Sequence, residues 1–487
     1  METLESYFDK YRQNIVGINQ TFKTPSGEKK LVYADWVASG RLYIPIEKKI
    51  LDTFGPFVGN THSETSITGI YMTKAYNEAR KIIKEHVNAN ENDVIITAGF
   101  GMTTVINKFQ RLLGLRFPEQ LDKYIKIPDE ERPVVFITHM EHHSNQTSWL
   151  ETIVDCEVIN PNESGLVDLD YFYELLEKYK NRKLKIGSFS AASNVTGIQP
   201  DYHLLAKIMH EHGGLCFVDF AAAAPYVDID MHPKDPMEKL DAIFFSPHKF
   251  LGGPGTSGVL IFDSKLYNRK IPDHPGGGTV DWTNPWGGHK YMDDVERRED
   301  GGTPGFLEAI KAALAIKLKE EMGTKNIIKR EEQLLDKTYK AIDEIPEIHL
   351  LANTNRKRLG VLSFYVEDLH YNLMVKLLND LYGIQVRGGC SCAGTYGHYL
   401  LHIDPTRSKR ITDEINHGDL SEKPGWVRLS LHPTMSDKEL DLCMDALQYI
   451  VKNGEKLAQS YNYSALTNEF HHIDEENQDT LVRSWFF

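Results

Sequence analysis

Residues Cys216–Leu260 read CFVDFAAAAPYVDIDMHPKDPMEKLDAIFFSPHKFLGGPGTSGVL. Two short apolar runs, Leu215–Val218 and Ala242–Phe245, each end in polar residues. The first delivers Asp219, and the second delivers Ser246, His248 and Lys249. A Gly-rich turn then leads into a third apolar run, Gly258–Phe262. Runs of this length bounded by turn residues predict buried strands. Chemistry gathered at the carboxyl ends of such strands is the arrangement of an open α/β sheet, where ligands sit beyond those ends.

An Asp and a Lys delivered to one place point to a pyridoxal phosphate site. The Lys amine can form a Schiff base with the cofactor aldehyde, and the Asp carboxylate can keep the pyridine nitrogen protonated, so that the ring acts as an electron sink. Either residue alone would read as a surface lysine or a helix cap. The context Ser246-Pro247-His248-Lys249-Phe250-Leu251-Gly252-Gly253 is what lifts the pair above that.

Working outward, the same strand-to-polar-turn pattern repeats. Val94–Thr97 opens into Ala98-Gly99-Phe100-Gly101-Met102-Thr103-Thr104 and a helix predicted from Val105 to Leu113. Free N–H groups at such a helix start, together with the helix dipole, make a phosphate cradle. Val134–Thr138 ends in Met140-Glu141-His142-His143-Ser144-Asn145, with Trp149 after it. Leu184–Phe189 leads to Ser190-Ala191-Ala192-Ser193-Asn194-Val195-Thr196-Gly197, and a helix over 201–212 returns the chain towards Asp219. Apolar spacing predicts a further helix over 73–88, with Thr73 as a candidate N-cap.

The Ser-Pro-His-Lys motif with Val218-Asp219 upstream resembles class V aminotransferase-fold enzymes, nearest to cysteine desulfurases, selenocysteine lyases and molybdenum cofactor sulfurases. The resemblance runs in order from about Tyr33 to about Asp437. It implies a fold-type I pyridoxal phosphate-dependent transferase: a large domain with a mainly parallel seven-stranded sheet, plus a smaller C-terminal α/β domain. It also implies roles for individual residues. Lys249 and Asp219 hold the cofactor, His142 stacks on its ring and can shuttle protons, and Asn194 bonds the ring hydroxyl oxygen. Gly101, Met102, Thr103, Ser246 and His248 surround the cofactor, and Thr279, in the turn Pro275–Val280, reaches the phosphate of the partner subunit. A homodimer with composite sites follows from that last role. Ser39 and Arg387 face the substrate, and Arg428 in Val427-Arg428-Leu429-Ser430 holds its α-carboxylate through a planar, bidentate guanidinium. Two departures stand out. Trp36-Val37 replaces the expected residues before Ala38-Ser39, and Ala222 stands where a ring-contacting Gln is usual.

The resemblance divides the chain into an N-terminal helical segment (1–20) on the small domain, a large cofactor-binding domain (21–305), a small domain (306–465) and a tail (466–487). A predicted helix over 306–322 joins the two domains, and another helix is predicted over about 324–343. With 487 residues a large core is readily available, and a formal net charge of −14 argues against a nucleic-acid surface. No apolar run approaches the ~20 residues of a membrane span. The acidic, mixed start METLESYFDKYRQN lacks a signal-peptide core, so a cytoplasmic location is expected.

Five cysteines, an odd and sparse set, do not form a disulfide framework. Cys156, Cys216 and Cys443 sit among apolar neighbours, whereas Cys390 and Cys392 lie in the Gly-rich loop Arg387-Gly388-Gly389-Cys390-Ser391-Cys392-Ala393-Gly394. Cysteine desulfurases carry Arg-x-Gly-x-x-Cys-Ala here, which places Cys392 on the catalytic position. Molybdenum cofactor sulfurases carry Cys-x-Cys. The expected activity is removal of sulfur from L-cysteine, or of selenium from L-selenocysteine, giving alanine and a persulfide on Cys392, with a sulfur-acceptor protein as a further partner. Three alternatives stay open at this point. The thiols could be inert, bind a metal or form a redox pair. The enzyme could be a class V aminotransferase or epimerase with incidental cysteines. The fold could serve binding alone, with Lys249 silent.

Overall fold

The computed structural model describes residues 3–487; Met1 and Glu2 of the expected N-terminal segment lie outside them. The chain forms two compact units. The larger comprises residues 37–328 with 354–359, and the smaller comprises residues 1–36, 329–353 and 360–487.

The larger unit is built on a seven-stranded sheet. Its strands are β1 (Asp93–Ala98), β2 (Val134–Thr138), β3 (Asp155–Ile159), β4 (Lys185–Ser190), β5 (Leu215–Asp219), β6 (Ala242–Phe245) and β7 (Gly258–Asp263). They lie in the order β1-β7-β6-β5-β4-β2-β3. β7 runs antiparallel to both its neighbours, and all other pairs are parallel. The expected mainly parallel seven-stranded sheet of a fold-type I enzyme is therefore the sheet observed. Val134–Thr138, Lys185–Ser190 and Ala242–Phe245 are buried along their whole length. Parallel strands covered on both faces read as continuous apolar runs, which is why they are visible in the sequence.

Helix α1 (Ile67–His86) starts six residues before the predicted Thr73, because Ser66 is the residue that caps it, accepting from the Gly69 N–H. Helix α2 (Met102–Leu112) follows β1 directly, and α3 (His143–Leu150) follows β2. Helix α4 (Phe306–Met322) packs on α1 inside the larger unit. Its start was expected to open the small domain. Instead its buried Ala309, Ala312, Ala313 and Ala315 allow close approach to the large-unit core.

The smaller unit carries a four-stranded sheet of β8 (Ile348–Leu350), β9 (Val361–Val366), β10 (Arg387–Gly389) and β11 (Trp426–Ser430), ordered β8-β9-β11-β10 with every pair antiparallel. Helices α5 (Tyr371–Tyr382) and α6 (Asp437–Ala458) supply much of its core, including Leu377, Leu378, Leu440 and Leu447. Two segments join it that the sequence assigned elsewhere. Val32–Tyr33 pairs in parallel with Ile384–Gln385, so residues 21–36 belong here rather than to the large domain. The expected separate tail contributes β13 (Glu469–His472), paired antiparallel with β12 (Tyr461–Ser464). Among the described residues near the N-terminus, only Leu4–Arg12 is helical; it buries Phe8 and Tyr11, and Arg12 pairs with Glu439 at 2.5 Å.

Glu331 makes this core sensitive to pH. It is fully buried, burial pushes its carboxyl up to about 8, and the Gly360 N–H only partly offsets that. Its Oε1 has no hydrogen-bond partner. A folded-state pKa above the unfolded value stabilises fully below the unfolded pKa, and that stability is lost as pH rises through the folded one. Glu331→Gln removes the ionisation and is expected to raise stability by about 1–3 kcal/mol at pH 8. Melting curves of both proteins should show the Tm gap widening from pH 5 to pH 8.

Candidate active site

In the larger unit the ends of four parallel strands bring the predicted cofactor residues together. Asp219 ends β5 and is buried, with Oδ1 accepting from the Ala221 N–H at 2.8 Å. Burial pushes its carboxyl up to about 7; the Ala221 N–H and the charge of Lys249 pull it down, and Glu141 pushes it further up. Lys249 closes the turn after β6 at half burial and lies within electrostatic reach of Asp219. The neighbouring His248 is driven down to about 4 by burial and then by Lys249, so it stays neutral.

The phosphate cradle is a junction of two turns. Ser246 Oγ accepts from the Met102 N–H at 2.8 Å, at the start of α2. A Cβ on Gly101 would stand 3.0 Å from that hydroxyl, so any larger residue there would press the two turns apart by a few tenths of an ångström. Thr103 shares a 2.6 Å hydroxyl contact with Ser144. Ser39 lies on a loop seated against the Lys249 turn: the Gly40 N–H donates to the His248 carbonyl at 2.9 Å, and a Cβ on Gly40 would stand 1.9 Å from the Phe250 oxygen.

His142 caps α3, its Nδ1 accepting from the Ser144 N–H at 3.1 Å. An accepting Nδ1 places the proton of the neutral ring on Nε2. Beneath it lies Glu141, for which sequence reasoning assigned no role. Its carboxylate accepts from Thr138 Oγ1 (2.7 Å), Asn145 Nδ2 (2.7 Å), the Ser190 N–H (3.0 Å) and Ser190 Oγ (2.5 Å). These bonds hold the 141–145 turn against β4 while burial raises the Glu141 pKa. Asn194 is buried in the turn after β4, where Ser193 Oγ accepts from the Val195 and Thr196 N–H groups. Thr279 lies in the Pro275–Val280 turn of the larger unit. It is buried, and its hydroxyl is spent on its own turn, donating to the Gly276 carbonyl at 2.6 Å and accepting from the Gly276 N–H at 3.2 Å. Ala222 is buried and offers no side-chain hydrogen bond.

In the smaller unit, Arg428 on β11 is buried and donates through Nη2 to Asp35 Oδ1 at 2.8 Å. Arg387 lies directly opposite it on β10 and donates through Nε to Asp35 Oδ2 at 3.1 Å. Burial pulls Arg428 below the usual arginine value, while Asp35 and Cys392 push it back up. Cys392 is exposed and Cys390 half-buried. Ser391 and Cys392 both hold left-handed backbone, at φ 52° and 56°. Trp426 Nε1–H donates to Ser391 Oγ at 3.2 Å and steadies the loop. Both thiols line a groove of about 690 Å³ whose other wall includes Asn468 and Phe470 of the C-terminal hairpin. Among the described residues, no group of three or more His, Cys, Asp or Glu side chains is arranged to hold a metal ion.

The model of the family described as aminotransferase class-V matches residues 32–443. The chain belongs to that family. Class-V enzymes of this kind depend on pyridoxal phosphate, and the larger unit fits that group. A buried carboxyl at a strand end suits a pyridinium partner, whose positive charge would favour its ionised form, an amine stands within reach of it, and a glycine-lined turn at a helix start suits a phosphate. The chain is 28% identical over 365 residues to a probable cysteine desulfurase of Staphylococcus aureus (strain COL), covering 75% of this chain and 84% of that protein. A probable cysteine desulfurase of Staphylococcus epidermidis (strain ATCC 12228) is 29% identical over 369 residues, with the same coverage. Among solved structures, the apo cysteine desulfurase from Thermococcus onnurineus NA1 superposes with a TM-score of 0.72 at 24% identity, over 91% of this chain and 98% of that one. The Escherichia coli cysteine desulfurase CsdA gives 0.69 at 21% identity, with coverage of 91% and 98%. At these identities the structural matches establish the fold. Among the described residues no helix is long and apolar enough to cross a membrane.

Proposed function

We propose that this class-V enzyme removes sulfur from L-cysteine, or selenium from L-selenocysteine, releasing alanine and leaving a persulfide on Cys392. The observation that carries this reading is the presentation of Cys392: an exposed thiol on a glycine-flanked, left-handed turn within electrostatic reach of Arg428. A structural cysteine is buried, as Cys216 and Cys443 are.

Lys249 and Asp219 would hold pyridoxal phosphate, with His142 against its ring and Asn194 at its ring oxygen. Gly101, Met102, Thr103, Ser246 and His248 would receive the phosphate. When bound, the cofactor supplies an electron sink for negative charge at the substrate Cα. Arg428 takes the α-carboxylate, with Arg387 and Ser39 completing substrate recognition. Lys249 Nζ removes the Cα proton, His142 keeps its Nδ1 on the Ser144 N–H, and the neutral His248 adds no charge. The Cys392 thiolate attacks the substrate sulfur: an S–S bond forms, the Cβ–S bond breaks, and its electron pair stays with carbon and is protonated to give the alanine methyl group. No external oxidant is needed.

A homodimer in which Thr279 reaches the phosphate in the partner subunit's site, a cytoplasmic setting and a sulfur-acceptor protein belong to the same proposal. Ala222 supports a second reading, a class-V aminotransferase or epimerase, because the ring contact usual at that position is missing. Incubation of cofactor-loaded protein with L-cysteine under reducing conditions separates the two. Equal amounts of alanine and sulfide are expected. Amine transfer to a keto acid, or inversion at Cα, without sulfide release would support the second reading and overturn the first.

A further inference from the structure

Arg387 and Arg428 stand directly opposite each other across the β10–β11 pair. Like charges in that relation repel, and one of them, Arg428, is almost wholly buried. A single carboxylate resolves the conflict by giving one oxygen to each guanidinium: Asp35 Oδ1 to Arg428 at 2.8 Å and Oδ2 to Arg387 at 3.1 Å. Asp35 is itself held from both sides. The Ala34 N–H donates to the Gln385 carbonyl at 2.9 Å, the Ser430 N–H donates to the Ala34 carbonyl at 2.8 Å, and Asp35 forms a parallel bridge with Ser430. Next to it, Trp36 stacks on His432 at 3.9 Å. A carboxylate built this firmly into the strand array can fix two long side chains.

We infer that Asp35 is a positioning residue for amino-acid recognition: it pins Arg428 and Arg387 as a preformed pair, so that an incoming α-carboxylate meets both guanidiniums already oriented. Bidentate recognition depends on the plane of the guanidinium, and a small misplacement of an orienting group is amplified in affinity. The half-exposed Arg387 spends its Nε on Asp35, which leaves the orientation of its outer edge to that one bond. This inference rests on the reading of Arg428 as the carboxylate clamp.

The test compares L-cysteine with cysteamine, which lacks the carboxylate. Both are titrated into cofactor-loaded protein with the cofactor absorbance as a binding readout, and KM and kcat for L-cysteine are measured alongside. The wild type is expected to bind L-cysteine more tightly than cysteamine. In Asp35→Asn that preference is expected to fall by about tenfold or more, with KM rising in step, kcat changing by less than about threefold and cysteamine binding unchanged. Asp35→Glu, which keeps the charge, is expected to recover most of the preference. A wild type without the preference overturns the Arg428 clamp itself. A wild type with it and an Asp35→Asn that keeps it overturns the role of Asp35 alone, as does a loss that Asp35→Glu fails to recover. Should Asp35→Asn not fold, D35N/R387Q is compared with R387Q, since one remaining guanidinium removes the repulsion. Loss of preference relative to R387Q supports the inference, and equal preference overturns it.

Discussion

Replacing Lys249 by alanine is expected to abolish turnover, by at least ~10³-fold, and to leave the protein colourless after incubation with pyridoxal phosphate. Two proposed roles would be lost together: the covalent anchor of the cofactor and the base at Cα. The fold should persist, because Lys249 is half-buried at the end of a turn rather than in the core. A second amine in the same unit makes the prediction specific. Lys319 is buried, and burial drives it down to about 7, so much of it is uncharged at neutral pH. It is nevertheless committed to the Ala224 and Val227 carbonyls at 2.7 and 2.5 Å. Borohydride reduction followed by peptide mapping should therefore find the cofactor on the Lys249 peptide. Label on Lys319, or colour retained in Lys249→Ala, would sink the assignment.

Much of this site was legible because its chemistry sits at the ends of strands buried on both faces. Phe245 to Lys249 and Val218-Asp219 announce themselves as apolar runs that stop in polar residues. β3 was missed for the converse reason. As an edge strand it is mostly half-buried, and its sequence DCEVI mixes charge with apolar residues. The role of Asp35 was invisible because its partners lie 352 and 393 residues further along the chain. No local pattern encodes a carboxylate whose purpose is to separate two arginines brought face to face by an antiparallel register. Glu141 was visible as part of a Glu-His-His motif, but its function depends on Ser190 and Asn145 converging on it. The C-terminal hairpin is hard to read from sequence because its two strands are only four residues long, largely polar and nowhere fully buried. Its anchor is tertiary: Asn468 Nδ2 donates to the Tyr371 hydroxyl at 2.6 Å and Tyr463 donates to Asn468 Oδ1 at 2.9 Å.

Cys392→Ala is expected to reduce sulfide release from L-cysteine by at least ~10³-fold while leaving cofactor binding and the absorbance change on adding L-cysteine intact. The reason is that none of the three cysteines outside this loop can take its place. Burial pushes Cys156 and Cys443 up to about 12 and Cys216 well above the usual thiol value, so all three stay protonated and unreactive at neutral pH. That leaves Cys390 and Cys392, separated by one residue but held differently. The Ala393 N–H donates to the Cys390 carbonyl at 3.0 Å, closing a turn through Ser391 and Cys392. Both turn residues accept left-handed backbone, a conformation that costs a non-glycine residue about 1–2 kcal/mol. The turn leaves Cys392 exposed and Cys390 half-buried. Under the proposed reaction, this exposure favours Cys392 over Cys390 for the attack on sulfur. Cys390→Ala is accordingly expected to keep activity within about tenfold of wild type. If Cys390→Ala proved as damaging as Cys392→Ala, the two thiols would act as one unit. If neither variant lost sulfide release, the nucleophile would not be a cysteine of this loop.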